Sequence, residues 1–248
     1  MELLSAQQLC PIFFVFLASF IQSLTGFGLV IVAAPFLMIF YEPKLVVLLV
    51  LVITTVSNTI QAPLLYKDAK FKVIVYLVLG ALVGQPLGIF MYKSISGMAV
   101  KFFVSFCIFL FLVLLQIFKL RIKECNRNTF ITGVLSGFLA TTTGMAGPPL
   151  AIYLAYSTVS PQAMRATSIT YFFFSNGCSI IAFYCGGISL LPAVYESVYL
   201  LPALGLGLVG GHVAFRYVPA ERFRQIVFTI LFISCVYTMG TVLTNTWL

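Results

Sequence analysis

Two polar runs interrupt otherwise apolar sequence. They are Ser23-Leu24-Thr25-Gly26-Phe27-Gly28 and Thr141-Thr142-Thr143-Gly144-Met145-Ala146-Gly147-Pro148-Pro149. Their hydroxyls can donate hydrogen bonds, and their glycines let a ligand approach the backbone. Glycine, threonine and proline together break a helix, so a new helix is expected to begin after each run. The first N–H groups of such a helix have no intrahelical partner and sit at the positive end of its dipole. Helix starts of this kind attract anions. Ser23, Thr25, Gly26, Gly28, Thr142, Thr143, Gly144 and Gly147 are therefore candidate anion-binding residues, with Thr141 as a further donor. The alternative is that the glycines serve only close helix packing.

The two runs are related by an internal repeat. Residues 17–58 and 135–176 align without a gap at an offset of 118. Thr25-Gly26 meets Thr143-Gly144, Pro43 meets Pro161, and Ser57-Asn58 meets Ser175-Asn176; Leu17, Phe20 and Ala33 recur as Leu135, Phe138 and Ala151. A later block matches at an offset of 123, setting Gly84 and Gly88 on Gly207 and Gly211, and Lys93 on Arg216. Self-similarity at a fixed period points to two related halves. In an apolar chain, it places a site between them, as in secondary transporters.

Other candidates follow from cost. Asn58 and Asn176 lie at equivalent places inside apolar segments, where an unpaired amide is expensive. Each is expected to bond the break of its own half or to face a ligand. Gln61 and Gln85 are similar but unmatched in the other half. Arg165 follows Ser160-Pro161-Gln162-Ala163-Met164 and is a candidate for the mouth of an anion cavity, or a plain interfacial anchor. His212, beside Gly210-Gly211, is the one histidine and a candidate for proton coupling.

What is missing narrows the chemistry. The acidic residues Glu2, Glu42, Asp68, Glu124, Glu196 and Glu221 fall in loops or at segment ends. Sites for sodium, metal ions or cationic substrates commonly need a carboxylate inside the membrane. Paired-carboxylate and Ser-His-Asp catalysis lack parts. The six cysteines show no zinc spacing. No enzyme, cofactor or metal is expected; an anion or neutral solute fits the inventory.

Composition sets the environment. The 248 residues are 61% hydrophobic and 8% charged, with a mean hydropathy of +1.11. Soluble domains carry about a quarter charged residues. The expected fold class is therefore an all-α polytopic membrane protein. The net charge of +8 sits in short loops, where topology rather than nucleic acid explains it.

Eight apolar stretches are expected, at 9–41, 45–66, 73–92, 96–118, 129–157, 163–186, 194–215 and 225–246. Six suit a bilayer core of about 30 Å. The first and fifth contain the breaks, which leave arms of about 14 residues, or about 21 Å. If all eight crossed, Lys and Arg would divide seven against seven. If the broken segments return to their starting side, the split becomes eleven inside against three outside (Lys44, Lys93 and Lys101), as the positive-inside rule prefers. The expected organisation is thus two inverted repeats, 1–118 and 129–248, each a re-entrant or broken hairpin plus three transmembrane helices. A basic cytoplasmic connector, 119–128, joins them, and both termini lie outside the cytoplasm. The start, MELLSAQQL, has no positive n-region, so signal-peptide cleavage is not expected.

The strings Ser23-Leu-Thr-Gly-Phe-Gly-Leu-Val with Ala34-Pro35, Gly144-Met-Ala-Gly-Pro-Pro-Leu-Ala-Ile-Tyr, Arg165-Ala166-Thr167 and Ser175-Asn176 carry a further signal. So do the glycine runs Gly80/Gly84/Gly88 and Gly205/Gly207/Gly210/Gly211. In these the chain resembles the TauE/SafE family of membrane permeases, also called the toluene sulfonate uptake permease family. The resemblance covers essentially the whole chain. It implies an inner-membrane transporter of small sulfur-containing anions, sulfite or organosulfonates such as sulfoacetate, with direction open. Phe27 and Met145-Ala146 depart from the family's glycine-rich pattern, which implies a different ligand-facing volume. Expected partners are a small anionic substrate and the lipid bilayer; a homodimer is compatible with the sequence. The rival readings are an anion channel of the same fold and a non-transporting membrane assembly protein.

Overall fold

A computed structural model describes residues 6–117, 125–155 and 160–215. All regular structure among them is helical. The first broken segment forms α1 (Ala6–Thr25) and α2 (Leu29–Phe40). Then come α3 (Pro43–Leu65), α4 (Phe71–Ser94) and α5 (Gly97–Ile117), with a single 3-10 turn at Tyr66–Asp68. The second broken segment forms α6 (Asn126–Thr143) and α7 (Gly147–Ala155), followed by α8 (Pro161–Cys185), α9 (Leu191–Val198) and α10 (Leu201–Ala214).

Among the described residues, four helical stretches are long and apolar enough to cross a membrane: Pro43–Asp68, Phe71–Ser94, Pro161–Cys185 and Leu191–Ala214. Their outward residues are apolar, as with Leu79, Leu82, Val83, Leu87 and Phe90 on α4. Their inward residues are often small or polar, as with Gly80, Gly84, Gln85 and Gly88. Lipid accepts the apolar face, and helices associate through the small one.

Both broken segments fold back on themselves. The rings of Phe14 on α1 and Phe36 on α2 stack at 4.0 Å, whereas a straight helix would hold them about 33 Å apart. In the second, Thr129 at the start of α6 and Tyr153 near the end of α7 meet at 2.7 Å between hydroxyls. Over the described residues α1 and α6 have 20 and 18 residues, and α2 and α7 have 12 and 9.

Segment seven also differs. It bends at Tyr199-Leu200, and Pro202 in the first turn of α10 restarts the helix. The expected span 225–246 and most of the connector 119–128 lie outside the described residues.

The halves are interleaved. The arm α6 packs along α4, and the arm α1 packs along α10. Each seam is made by glycines facing backbone. A Cβ on Gly84 would overlap Val134 and Phe138; one on Gly207 would overlap Phe16 and Phe20. These two contacts are related by the same offsets of 118 and 123 that relate the sequences. Helices α3 and α8 cross between the hairpins, and Phe27 at the first break touches both hydrophobic clusters of the molecule.

Candidate functional site

Each break has the same local build. Gly26 and Gly144 take positive φ of 82° and 78°, a region that favours glycine. The N–H of Gly26 bonds the Gln22 carbonyl at 2.8 Å, and that of Gly144 the Ala140 carbonyl at 3.1 Å. Thr25 donates to Ile21 and Thr143 to Leu139, at 2.9 and 2.8 Å. Each threonine oxygen then accepts the N–H two residues on, from Phe27 and Met145, both at 3.3 Å. The threonines terminate helices; their hydroxyl protons are committed to backbone carbonyls.

The remaining hydroxyls of the two breaks also donate to backbone carbonyls. Ser23 donates to the Leu208 carbonyl, Thr141 to Gln85, and Thr142 to Phe138 and Gly88. They fasten the arms to α10 and α4.

Between the two breaks lies a cavity of about 350 Å³, including its open mouth. Gly28, Asn58, Gly144, Gly147 and Asn176 of the expected site residues line it. Ser23, Thr25, Gly26, Thr142, Thr143 and Arg165 do not. The glycines divide accordingly. Gly26 presses on the backbone of Arg165, so that a Cβ there would lie 2.8 Å from the Arg165 Cα. Gly28 and Gly147 instead open onto the cavity.

The cavity's donors come from three sources. First, the start of α2: Val32 N–H makes the first intrahelical bond, to Gly28, at 2.9 Å. The N–H groups of Leu29, Val30 and Ile31 precede it and find no carbonyl within the helix. Second, Asn58 is 1% exposed and accepts from Gln22 Nε2 at 2.7 Å, while its own Nδ2 has no partner. An unmet buried donor costs about 1–3 kcal/mol. Third, Asn176 donates to Thr54 Oγ1 at 3.1 Å and has a second N–H. Asn58 thus bonds its own half, and Asn176 bonds the other. No lining side chain among the described residues is charged.

The second break contributes less than the sequence suggests. Pro148 and Pro149 occupy the first turn of α7 and carry no N–H. The donor end of the cavity is therefore α2, while Phe27, Ala146 and Phe172 make an apolar wall. Gln22 and Thr54 were missed from sequence because their repeat counterparts are Ala140 and Phe172. Their signal was a polar residue one helical turn from a matched one, as Thr54 is from Asn58.

Arg165 is 3% exposed and lies over the Phe215 ring at 4.6 Å. Its Nη2 is 3.4 Å from His212 Nδ1, and its Nε has no partner. It is a buried cation, not an interfacial anchor. His212 is exposed and does not line the cavity.

A family model described as Sulfite exporter TauE/SafE matches residues 11–238. No curated protein and no solved structure matches the chain. A match that runs through both hairpins and the helices between them means that the chain belongs to the Sulfite exporter TauE/SafE family of membrane transporters.

Proposed function

We propose that the protein is a secondary transporter that moves a small sulfur-containing oxyanion, of sulfite or organosulfonate type, across the inner membrane by alternating access. The observation that carries this reading is the unpartnered Asn58 Nδ2 beside the start of α2, in a cavity without a charged side chain. Backbone N–H groups and two amides would replace the hydration shell of the anion. A hydrogen bond to a charged group contributes about 1.5–3 kcal/mol. Several such bonds hold an anion without a fixed cation that would resist its release.

The repeats are proposed to be inverted, with both termini outside the cytoplasm. The offset-related seams and the positive-inside count support this arrangement. Each hairpin would move together with the helix of the other half that it grips, α1 with α10 and α6 with α4. Those seams are glycine against backbone, so they travel as units, and the cavity between α2, α3, α7 and α8 opens to one side at a time. His212 is the proposed proton-coupling group. Its support is the contact with Arg165, whose backbone bears on the first break.

The test is a thermal-shift screen of the purified protein against sulfite, sulfate, thiosulfate and short sulfonates. A binder at a hundredfold excess over Kd stabilises by about 2.7 kcal/mol. Stabilisation by at least one sulfur oxyanion is expected; none by any of them contradicts the reading.

A further inference from the structure

A second cavity, of about 450 Å³, lies at the other end of the hairpin α6/α7. Its polar lining is Lys72 and Tyr76 from α4, Asn126 and Thr129 from α6, and Tyr153 from α7, beside Val73 and Cys125. Among the described residues, none that lines it is acidic. Asp68, four residues before Lys72, accepts from Gln162 Nε2 at 2.7 Å.

Lys72 and Tyr76 supply donors to this cavity. Lys72 is exposed and has three N–H groups. Tyr76 accepts from Asn126 Nδ2 at 3.1 Å, so its own proton remains to be given. The 18-residue helix α6 begins here, and its cap residue Cys125 supplies no side-chain acceptor. The positive end of that helix therefore faces the same space as the lysine. The floor is closed by the bond between Thr129 and Tyr153.

Position decides what kind of anion this is. Lys72 stands in the first turn of a candidate membrane span, Phe71–Ser94. One turn further along the same face of α4, Val75 is exposed; one turn beyond Asn126 on α6, so is Phe130. Leu79 and Ile131 continue the exposed apolar surface. A cationic, donor-rich pocket thus opens at the membrane interface, directly above two lipid-facing surfaces. Basic pockets between transmembrane helices suit anionic lipid headgroups. The feature belongs to one half only. Under the repeat offsets, Lys72 corresponds to Tyr195, Thr129 to Pro11 and Tyr153 to Pro35. That one-sidedness fits a role outside the transport cycle's symmetric parts.

We infer that this pocket binds the phosphate headgroup of an anionic phospholipid, whose acyl chains lie along Val75 and Leu79 of α4 and Phe130 of α6. The bound lipid clamps α4 to α6 at the base of the second hairpin.

The experiment is native mass spectrometry of the delipidated full-length protein, titrated with dioleoylphosphatidylglycerol or dioleoylphosphatidylcholine. The anionic lipid is expected to bind more tightly. Lys72→Gln should weaken it about fivefold, the worth of one lysine at a membrane surface. Lys72→Arg should keep most of the binding, and Lys93→Gln, at the far end of α4, should leave it unchanged. Tyr76→Phe removes one donor without altering charge and should cost about threefold. Equal binding of the anionic lipid by the Lys72→Gln, Tyr76→Phe and unaltered proteins overturns the inference. So does displacement of the lipid by an equal concentration of glycerol phosphate, which would mark a site for soluble anions.

Discussion

Ser23 Oγ donates to the carbonyl oxygen of Leu208 at 2.9 Å. Thr141 Oγ1 makes the counterpart bond to Gln85 at 3.0 Å. Ser23 and Thr141 are 118 residues apart, and Gln85 and Leu208 are 123 apart, the two offsets of the internal repeat. Each half thus reaches into the other through a hydroxyl. Both acceptors lie within helices, α10 and α4, so each bond ties an arm to the helix it packs along.

The seams supply the first prediction. Gly84→Ala and Gly207→Ala each drive a methyl into facing backbone, which cannot yield as a flexible side chain would. Each should destabilise the purified protein by about 1–3 kcal/mol, as overpacking does. Gly205→Ala, on the same helix as Gly207 but facing open space, should be neutral or slightly stabilising. Melting curves in one detergent compare the three.

The donor end of the cavity supplies the second. Val30 and Pro148 are repeat counterparts in the first turns of α2 and α7. Val30→Pro makes α2 like α7: the helix start tolerates the ring, but one N–H is lost. Anion affinity should fall about tenfold or more, the worth of one charge-assisted bond. Pro148→Ala should not weaken binding. Calorimetric titration with sulfite reads both variants.

How much of this was legible is clearest at the breaks. Positive φ at Gly26 and Gly144 follows from residue type, and the offset-related pairing of Gly84 and Gly207 was visible as a bare alignment. The roles of the hydroxyls were not legible. Composition says that Thr142 can donate, but only the approach of α4 adds the Gly88 carbonyl as an acceptor beside that of Phe138. The proline count at α7 was readable and mattered: two residues of its first turn have no N–H to offer. Gln22 and Thr54 escaped because recurrence was the filter, and the lining of the cavity is less symmetric than its frame. Phe27 and Ala146, which depart from the family's glycine pattern, are both in its wall.

Proton coupling supplies the third prediction. His212 Nδ1 lies 3.4 Å from Arg165 Nη2, so it accepts from the guanidinium only when its Nδ1 is unprotonated. Loss of the contact frees the Arg165 side chain, while its backbone stays against Gly26. His212→Asn should flatten the dependence of uptake rate on pH. Unchanged pH dependence removes His212 from the mechanism.

Topology supplies the fourth. Single cysteines in place of Lys70 and Lys93, at opposite ends of α4, should react with an impermeant maleimide from opposite sides of intact cells. Lys93→Cys should label from outside and Lys70→Cys only after permeabilisation. The reverse pattern would invert the proposed orientation.

The most direct measurement is calorimetric titration of sulfite and a short sulfonate into the purified protein and its Asn58→Asp variant. The substitution keeps the shape of the side chain, replaces the unpartnered Nδ2 by oxygen and sets a carboxylate beside the start of α2. Saturable binding to the unaltered protein, weakened at least tenfold in Asn58→Asp without loss of folding, is the predicted result. Equal affinity in both proteins would show that the anion is held elsewhere.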